Sequence, residues 1–365
     1  MAKGDYIIRF KTSPGRIEFY DLIRGRLEFN TSLLGDFSIA KKIGIPLYNL
    51  AVVIDDFEMK ISHVIRGEDH ISNTPKQIII QEALGFPRPE YAHLPLILGA
   101  DKSKISKRHG AVSMGEYRQL GYLPEALVNF MALLGWNPGT EEELFTLDGL
   151  IEKFSLGRVQ KGGAIFNIER LDWMNGEYIR DMSIDELTEK CVPYLMEDKL
   201  IEPAKESRIK NQESRIRNNK FQASFKFQET NEIVTFEWLK KVIALEQERM
   251  NKLSEIGELT EFFFKDKLRY SKELLRWKKM SDKEIKDNLD ELIKILSSIE
   301  SFGFDRGKIE NILMPVSEKR GKGELLWPLR VALTGRKASP GPFEIMGVLG
   351  KEKTLKRLKE ARKKI

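Results

Sequence analysis

The chain has 365 residues, of which 41% are hydrophobic and 32% are charged, and this composition is typical of a soluble globular protein with two or three domains. The single cysteine, Cys191, excludes an internal disulfide and a cysteine-based zinc site. The formal net charge of +6 is not by itself evidence for a nucleic acid partner, because residues 351–365 alone carry eight cations and two anions, a net of +6.

The sequence lacks the patterns expected of a membrane protein or a secreted protein. No stretch approaches the roughly eighteen uninterrupted apolar residues of a membrane-spanning helix. Residues 1–5 do not resemble a secretory signal. We therefore expect a cytoplasmic protein with no membrane partner. The basic C-terminal helix suits contact with a phosphate backbone, although a solvated helix face explains it equally well.

Residues 1–46 contain short alternating segments at 6–10, 16–20 and 26–30, which is typical of a small β-rich unit. From Pro46 onward the pattern predicts strands interrupted by a helix. The predicted strands are 47–54, 61–65 and 93–98, and the predicted helix is 77–84, with Thr74 and Pro75 at its start. Polar residues after such strands collect at the carboxyl edge of a parallel sheet, where open α/β folds bind ligands.

The most distinctive stretch is the loop after the third of these strands. Residues 102–108 hold four cations and two serines between Gly99 and Gly110; the cations are Lys102, Lys104, Lys107 and Arg108. Cations on a mobile loop can neutralise charge that develops on transferred phosphates, and flanking glycines would let the loop close. A solvated turn or a basic localisation patch is the more common explanation for such a run taken alone.

The rest of the chain is predicted to be mainly helical. The predicted helices are 123–134, 147–154, 168–174, 183–200, 236–253, 259–264, 272–277, 282–299, 325–333 and 342–349, before the basic final helix. Residues 202–222 are polar and partly self-similar, so we interpret 202–230 as a surface linker or an exposed helical insertion. Almost no strand pattern follows, which predicts an all-α domain over 231–365.

Nine motifs in this chain occur together in one known family. They are 21–25 (DLIRG), 46–56 (PLYNLAVVIDD), 64–75 (VIRGEDHISNTP), 104–110 (KISKRHG), 121–126 (GYLPEA), 133–136 (LLGW), 328–335 (PLRVALTG), 343–345 (FEI) and 349–352 (LGKE). In order and spacing they resemble bacterial-type glutamyl-tRNA synthetase (glutamate–tRNA ligase), a class I aminoacyl-tRNA synthetase. Only 202–230 is poorly covered.

The resemblance implies a fold and its division into domains. The expected fold class is α/β, the C-terminal half of a class I Rossmann-type catalytic domain with a β-rich insertion remnant, followed by an all-α anticodon-binding domain. The expected parts are the acceptor-end insertion remnant (1–46), the second half of the catalytic domain with the lysine loop (47–115), a helical stem-contact region (116–201), the polar linker (202–230) and the anticodon-binding domain (231–365).

The resemblance also implies a two-step reaction. Glutamate and ATP would form glutamyl-adenylate, and the glutamyl group would then pass to tRNA(Glu). The lysine loop corresponds to the family's Lys-Met-Ser-Lys-Ser signature, with Ile105 and Arg108 as replacements. Lys104 and Lys107 would be the catalytic residues, holding the β and γ phosphates by positioning and charge stabilisation. ATP with Mg²⁺ would be the substrate complex, and no zinc is expected.

By the same resemblance, Tyr48 and Arg66 would bind glutamate, since a guanidinium can meet a carboxylate through two donors. Arg66 could instead pair with Glu68 or Asp69 to close a turn, and Tyr48 could be a core residue with a satisfied hydroxyl. The residues implied at ATP are Asp69, His70, Ile97 through its main chain, Ser106 and Lys107. The other histidines, His63, His93 and His109, are interpreted as structural because their spacing fits no metal site.

In the predicted helical domain, the resemblance implies that Arg330 reads an anticodon base, and guanidinium groups can stack on unpaired bases and bond their edges. Ser339 and Pro340 would lie beside the same loop. An isolated surface salt bridge is the ordinary alternative for Arg330.

The family's first signature, His-Ile-Gly-His, is not in this sequence, nor is the Arg-Phe-Ala-Pro-Ser-Pro-Thr-Gly stretch that adds a second arginine to the glutamate site. Residues 9–15 (RFKTSPG) differ from that stretch because 17–25 match the acceptor-end insertion. We therefore expect an N-terminally truncated ligase whose substrate crevice is unfinished, so that the chain is inactive alone.

Such a chain would be a monomer or would pair with a missing N-terminal part. A non-catalytic tRNA-binding fragment is the alternative function. A glutaminyl or archaeal-type glutamyl enzyme is disfavoured, since those carry β-barrel anticodon domains and no strands are predicted here after residue 231.

Overall fold

The computed structural model describes residues 6–105, 113–204 and 224–365. Ser106 and Lys107 therefore lie outside the described residues, as does most of the predicted linker. The chain divides into two compact units. Unit 1 comprises residues 1–116 and 124–171, and unit 2 comprises residues 117–123 and 172–365.

Unit 1 contains a four-stranded sheet in the order β3-β2-β7-β6, in which β2, β7 and β6 run parallel and β3 is antiparallel to β2. A separate antiparallel sheet has the order β1-β4-β5, and β8 pairs with β9 in parallel. The strands are β1 (Ile8–Phe10), β2 (Arg16–Asp21), β3 (Gly25–Asn30), β4 (Phe37–Lys42), β5 (Ile45–Pro46), β6 (His63–Gly67), β7 (Glu90–Leu94), β8 (Ile97–Leu98) and β9 (Ala164–Ile165).

The helices of this part of the chain are α1 (Tyr48–Glu58), α2 (Thr74–Leu84), α3 (Met114–Gln119, shared with unit 2), α4 (Pro124–Leu133) and α5 (Leu147–Lys153). Residues of α2 pack on one face of β7, and residues of α4 and α5 pack on the other. Tyr91 packs in one core cluster with Ile78 of α2, while Ala92 packs in another with Trp136. Because consecutive strand residues point to opposite faces, β7 is buried on both sides, as expected for an inner parallel strand.

The prediction of a strand at 47–54 is wrong, since these residues begin α1. A continuous apolar run does not distinguish a buried strand from a buried helix, and the β-branched Val52, Val53 and Ile54 favour the strand. In the fold, Val53 is only 1% exposed and α1 packs against α2. Tertiary packing therefore decides the conformation.

The predicted strand 93–98 is two strands, β7 and β8, with Pro95 between them. Proline lacks the N–H that a continuous ladder would need. The predicted strand at 61–65 and the helix after Thr74 and Pro75 are confirmed, the strand with bounds shifted by two residues.

Unit 2 is mainly helical and also contains a small antiparallel sheet in the order β10-β11-β12. Its strands are β10 (Ile201–Pro203), β11 (Ser224–Phe227) and β12 (Ile233–Thr235). The helices are α6 (Ile168–Asp181, shared with unit 1), α7 (Ile184–Glu197), α8 (Phe236–Ala244), α9 (Ile256–Phe264), α10 (Asp282–Ser298), α11 (Arg306–Arg320), α12 (Lys322–Thr334) and α13 (Pro342–Lys364).

The prediction of no strands after residue 231 is wrong, since β12 lies there, and β11 lies within the segment that was interpreted as a polar linker. Phe225 and Phe227 are buried and alternate with the less buried Lys226, but this period-two pattern is too short to recognise in a polar stretch. Helix α11 has no counterpart among the predicted helices. The predicted order of an α/β part followed by a helical part is confirmed, and the predicted domain limits remain predictions.

Candidate active site

Three parallel strands of unit 1 bring polar side chains together at their carboxyl ends. Asp21 is the last residue of β2, Arg66 lies near the end of β6, and His93 lies near the end of β7. The β6–β7 register places Arg66 opposite His93. This is the edge at which an open α/β sheet presents groups to a ligand.

The Arg66 guanidinium is held on two of its nitrogens. Its Nε donates to His93 Nε2 at 3.2 Å, and its Nη2 donates to Thr74 Oγ1 and to Gln77 Oε1, both at 2.8 Å. Gln77 is oriented in turn because its Nε2 donates to Asn49 Oδ1 at 3.1 Å. The first turns of α1 and α2 thus help to fix one arginine on β6.

Asp21 and His93 form a buried pair behind Arg66. His93 Nδ1 lies 2.6 Å from Asp21 Oδ2, and neither side chain is exposed. Burial lowers the pKa of His93, and this effect outweighs the opposing hydrogen bond and charge of Asp21. Burial alone would raise the pKa of Asp21, but hydrogen bonds from Arg24, His93 and Ile23 bring it below its usual value. The pair is therefore a carboxylate and a neutral imidazole at neutral pH.

Tyr48 stands at the first position of α1 and is half exposed. Its hydroxyl lies 3.2 Å from His70 Nδ1, and the two rings are 5.5 Å apart at an interplanar angle of 57°. Asn73 Nδ2 also lies 3.3 Å from His70 Nδ1. Because Tyr48 is half exposed, it is not the core residue of the alternative interpretation.

The carboxylates next to Arg66 in sequence have other partners. Glu68 pairs with Arg24 at 2.6 Å and accepts from the Leu96 main-chain N–H at 3.0 Å. Asp69 pairs with Lys104 at 2.9 Å. The alternative in which Arg66 merely closes the turn through one of these carboxylates is therefore wrong.

The lysine loop begins as a tight reversal after β8. The Ile105 N–H donates to the Ile97 carbonyl at 3.1 Å, and the Gly99 N–H donates to the Ser103 carbonyl at 2.8 Å. Lys102 occupies the turn with a positive φ of 61°. This reversal brings Lys104 back to Asp69, so the first lysine of the motif reaches the carboxyl edge of the sheet.

The structure therefore brings most of the predicted substrate residues into one connected group. Thr74, which accepts from Arg66, donates to the His70 carbonyl, and Tyr48 contacts the His70 ring. Lys104 contacts Asp69, the residue before His70, and Ile97 supports the Lys104 turn through its carbonyl. The remaining predicted residues of this site, Ser106 and Lys107, lie in 106–112 and are not described.

A second group of predicted residues lies in unit 2. Arg330 Nη1 donates to Ser339 Oγ at 2.8 Å and to the Pro340 carbonyl at 2.9 Å. Burial lowers the pKa of Arg330, and the nearby charge of Arg249 adds to this effect. The three residues predicted at the anticodon therefore touch one another, on the last turns of α12 and the loop before α13.

Sequence reasoning did not assign Asp21, Thr74 or Gln77, although all three lie in or beside recognised motifs. Each is less than 3% exposed, and each is a polar residue at a strand end or in the first turn of a helix. Buried polar groups need partners, so such a residue after a predicted parallel strand is the usable signal.

Within the described parts of the chain, no group of three or more His, Cys, Asp or Glu residues could hold a metal ion. No helix within those parts is both long enough and apolar enough to span a membrane.

Comparison with known proteins identifies the family. Residues 1–173 match the family of class I tRNA synthetases (E and Q), catalytic domain, and residues 186–362 match an anticodon-binding domain family. The chain is 42% identical over 360 residues to glutamate–tRNA ligase 1 of Caldicellulosiruptor saccharolyticus, covering 96% of this chain and 67% of that protein. It is 40% identical to glutamate–tRNA ligase of Desulforamulus reducens, covering 98% of this chain and 69% of that protein.

Comparison with solved structures indicates the same family. The crystal structure of a glutamate–tRNA ligase from Elizabethkingia meningosepticum in complex with its amino acid matches with a TM-score of 0.79 at 30% identity, over 98% of this chain and 68% of that chain. The chain thus spans about two thirds of the length of these relatives. Since the sequence, both family models and the fold agree, the chain belongs to the glutamate–tRNA ligase family of class I aminoacyl-tRNA synthetases.

Proposed function

We propose that the chain provides the glutamate-holding and phosphate-holding side of a glutamate–tRNA ligase, together with its anticodon-reading unit. The observation that carries this proposal is the fixed guanidinium of Arg66, held at the carboxyl edge of the sheet in the same group as Tyr48, Asp69 and Lys104. A pure tRNA-binding protein would have no use for an arginine held in this way.

Arg66 has donors left for a substrate. A guanidinium has five N–H groups, of which His93, Thr74 and Gln77 take three. Within the described residues no acceptor is bonded to Nη1, so its two N–H groups remain for the side-chain carboxylate of glutamate. A two-pronged contact through both Nη atoms would need Thr74 or Gln77 to give up its bond, so we propose that the carboxylate binds Nη1.

Tyr48 supports the same assignment. Its exposed phenol is held beside His70 at the start of α1, where a hydroxyl can bond a small polar ligand. We propose that Tyr48 contacts glutamate, and that His70 and the main chain at Ile97 flank ATP.

The ATP phosphates would be held by the lysine loop. Lys104 already faces Asp69, and we propose that phosphate oxygens replace or share this contact when ATP binds. Lys107 would add a second cation and Ser106 a hydroxyl. Mg²⁺ would reach this site as part of the ATP complex.

We further propose that tRNA(Glu) binds unit 2 with Arg330 at an anticodon base. Ser339 and Pro340 hold Nη1, and no hydrogen bond to Nη2 exists within the described residues. The planar group is therefore oriented while one nitrogen remains for a base edge.

The outer edge of β6 suggests how the active site is completed. Within the described residues β6 pairs only with β7, and Ile65 on it is 50% exposed. An open parallel edge normally continues into another strand. We propose that a segment corresponding to the third of the relatives that this chain does not match pairs with this edge and completes the glutamate and ATP sites.

ATP–pyrophosphate exchange with glutamate and tRNA present tests the proposal. We expect no exchange from the 365-residue chain alone, and exchange when a polypeptide corresponding to the unmatched third of the Caldicellulosiruptor relative is added. Arg66→Ala should abolish the restored exchange, whereas Arg26→Ala, at an exposed arginine paired with Glu18, should not.

Exchange by the chain alone would refute the incomplete site. Restored exchange that survives Arg66→Ala would refute the role of Arg66. If the chain binds tRNA but the added polypeptide restores nothing, the non-catalytic tRNA-binding function would replace the proposed one.

A further inference from the structure

The Asp21–His93 pair is fully buried, and its hydrogen bonds determine which atoms carry protons. Asp21 Oδ1 accepts from the main-chain N–H groups of Ile23 at 3.0 Å and Arg24 at 2.8 Å, and Oδ2 accepts from the His93 main-chain N–H at 3.1 Å. Every one of these neighbours is a donor. The carboxylate is therefore ionised, and Oδ2 must accept a hydrogen bond from a protonated Nδ1 of the His93 ring.

This arrangement determines what His93 presents on its other side. With the proton on Nδ1, the Nε2 lone pair points toward the Arg66 Nε–H at 3.2 Å. Thr74 Oγ1, 3.1 Å from Nε2, accepts from Arg66 and can donate to the His70 carbonyl at 3.1 Å. The chain of bonds runs in one direction, from Arg66 through His93 to Asp21.

We propose that Asp21 and His93 are positioning residues that orient Arg66 for the substrate carboxylate, a role that rests on the proposed glutamate site. Asp21 selects the Nδ1–H tautomer, and that tautomer supplies the only acceptor that aligns Arg66 Nε among the described residues. With Nε and Nη2 held, Nη1 is the nitrogen directed to the ligand.

The arrangement fails if His93 gains a second proton, because Nε2 would then be a donor facing another donor. Among the described residues, the charged or titratable groups that face His93 are Asp21 on β2, Arg66 on β6, His70 in the turn before α2 and the stacked Tyr91 ring on β7, 6.2 Å away. Arg66 and His70 oppose protonation and Asp21 favours it, while burial opposes it most. The neutral, aligned state is therefore the one present at neutral pH.

A purely structural pair is the competing explanation, since a buried carboxylate at a strand end also ties β2 to β7. The two explanations differ at Arg66. A structural role predicts loss of stability with no specific change in the Arg66 side chain, whereas the positioning role predicts release of its Nε–H.

Side-chain ¹⁵N NMR of the full 365-residue chain distinguishes them without requiring activity. The chain has four histidines, so selective labelling leaves few signals to assign. We expect His93 to be the Nδ1–H tautomer at neutral pH and Arg66 Nε–H to exchange slowly. A wild-type His93 that is protonated or carries its proton on Nε2 would overturn the proposal even if every variant misfolded.

Variants then test the direction of the effect. Asp21→Asn should shift His93 away from the Nδ1–H tautomer and speed exchange of the Arg66 Nε–H at least about tenfold, and His93→Phe should remove the slow signal. Thr188→Val is the control, because Thr188 is also fully buried but belongs to unit 2, where its hydroxyl donates to the Ile184 carbonyl at 2.6 Å. An unchanged Arg66 signal in a folded Asp21→Asn protein would overturn the proposal.

In the completed exchange assay, Asp21→Asn should raise KM for glutamate about tenfold and leave KM for ATP unchanged, the loss expected when an oriented contact worth about 1.4 kcal/mol is removed. Equal changes in both constants would indicate a structural role. If Arg66→Ala has no effect while Asp21→Asn still releases Arg66 Nε–H, the proposed function fails and the positioning network stands.

Discussion

Lys104 Nζ lies 2.9 Å from Asp69 Oδ2, so the first lysine of the KISKRHG motif is paired with a carboxylate that follows β6. The two residues are 35 positions apart, and the tight reversal after β8 brings them together. Phosphate oxygens at Lys104 would have to compete with this carboxylate. The pair thus connects the lysine loop to the end of the parallel sheet.

This contact has a measurable effect on Asp69. The hydrogen bond from Lys104 is the largest cause of its lowered pKa. Lys104→Met should therefore raise the Asp69 pKa toward the usual aspartate value near 3.8, as followed by carboxyl ¹³C NMR. Lys102→Met, in the same turn, should leave it unchanged. An Asp69 pKa that does not respond to Lys104→Met would show that the ion pair is not formed in solution.

Arg330 should determine base selectivity in tRNA binding. Arg330→Gln should weaken binding of tRNA(Glu) by roughly 10- to 100-fold, because a base-edge contact is worth about 1–3 kcal/mol. It should also reduce discrimination against altered anticodons. Filter binding with wild-type and anticodon-altered tRNA measures both effects.

Arg362→Gln is the control, since this exposed arginine pairs with Asp290 on the surface. This variant should weaken the binding of all tRNAs equally or leave it unchanged. If Arg330→Gln weakens binding equally for every anticodon, Arg330 contacts a phosphate and does not read a base.

Binding of tRNA by this chain should also fall as salt rises, because neutralised phosphates release counterions. A plot of log affinity against log salt concentration should be linear with a negative slope. Affinity that is independent of salt would contradict phosphate contact by the basic residues of unit 2.

Gly121 should tolerate no side chain. It has a positive φ of 83°, and a Cβ there would lie 2.5 Å from the Ser254 main-chain nitrogen and 2.6 Å from that of Leu253. Gly121→Ala should therefore lower the free energy of unfolding by about 3 kcal/mol or more, as measured by urea denaturation.

Gly25 provides a matched control for Gly121, because it has the same φ of 83° and an open surrounding. Among the described residues, no atom beyond its chain neighbours would lie within 4 Å of a Cβ at this position. Gly25→Ala should cost only the left-handed strain, about 1 kcal/mol. Equal losses for the two variants would mean that close packing against Leu253 and Ser254 contributes nothing.

Glu246 should make stability depend on pH. Its side chain is fully buried, Arg249 Nη1 donates to Oε2 at 2.7 Å, and Oε1 has no partner among the described residues. Burial raises its pKa from 4.5 to about 7. The folded state then binds the proton more tightly than the unfolded state, so this group's contribution falls as pH rises from about 4.5 to about 7, by up to about 3 kcal/mol.

Glu246→Gln should remove this decline. The wild-type free energy of unfolding, relative to that of the variant, should decrease across the same pH window in urea titrations. Glu248→Gln, at an exposed neighbour, should follow the wild-type curve. A constant difference between wild type and Glu246→Gln would show that folding does not raise the pKa of Glu246.

Local patterns determined much of this protein. The order of the motifs was enough to indicate the family. Arg66 and Lys104 could be identified as candidate site residues because strand ends and basic loops are local features of a sequence. The predicted helix start at Thr74 and Pro75 is likewise local, since proline suits the first turn of a helix. These predictions needed only neighbouring residues.

Tertiary structure decided what local patterns leave open. Residues 47–54 became a helix because α1 packs on α2, and the partners of Arg66 come from positions 74, 77 and 93. Asp21 reaches His93 across 72 positions because β2 and β7 are parallel neighbours. Such contacts depend on the pairing of distant segments, and hydrophobic periodicity within one segment contains no information about that pairing.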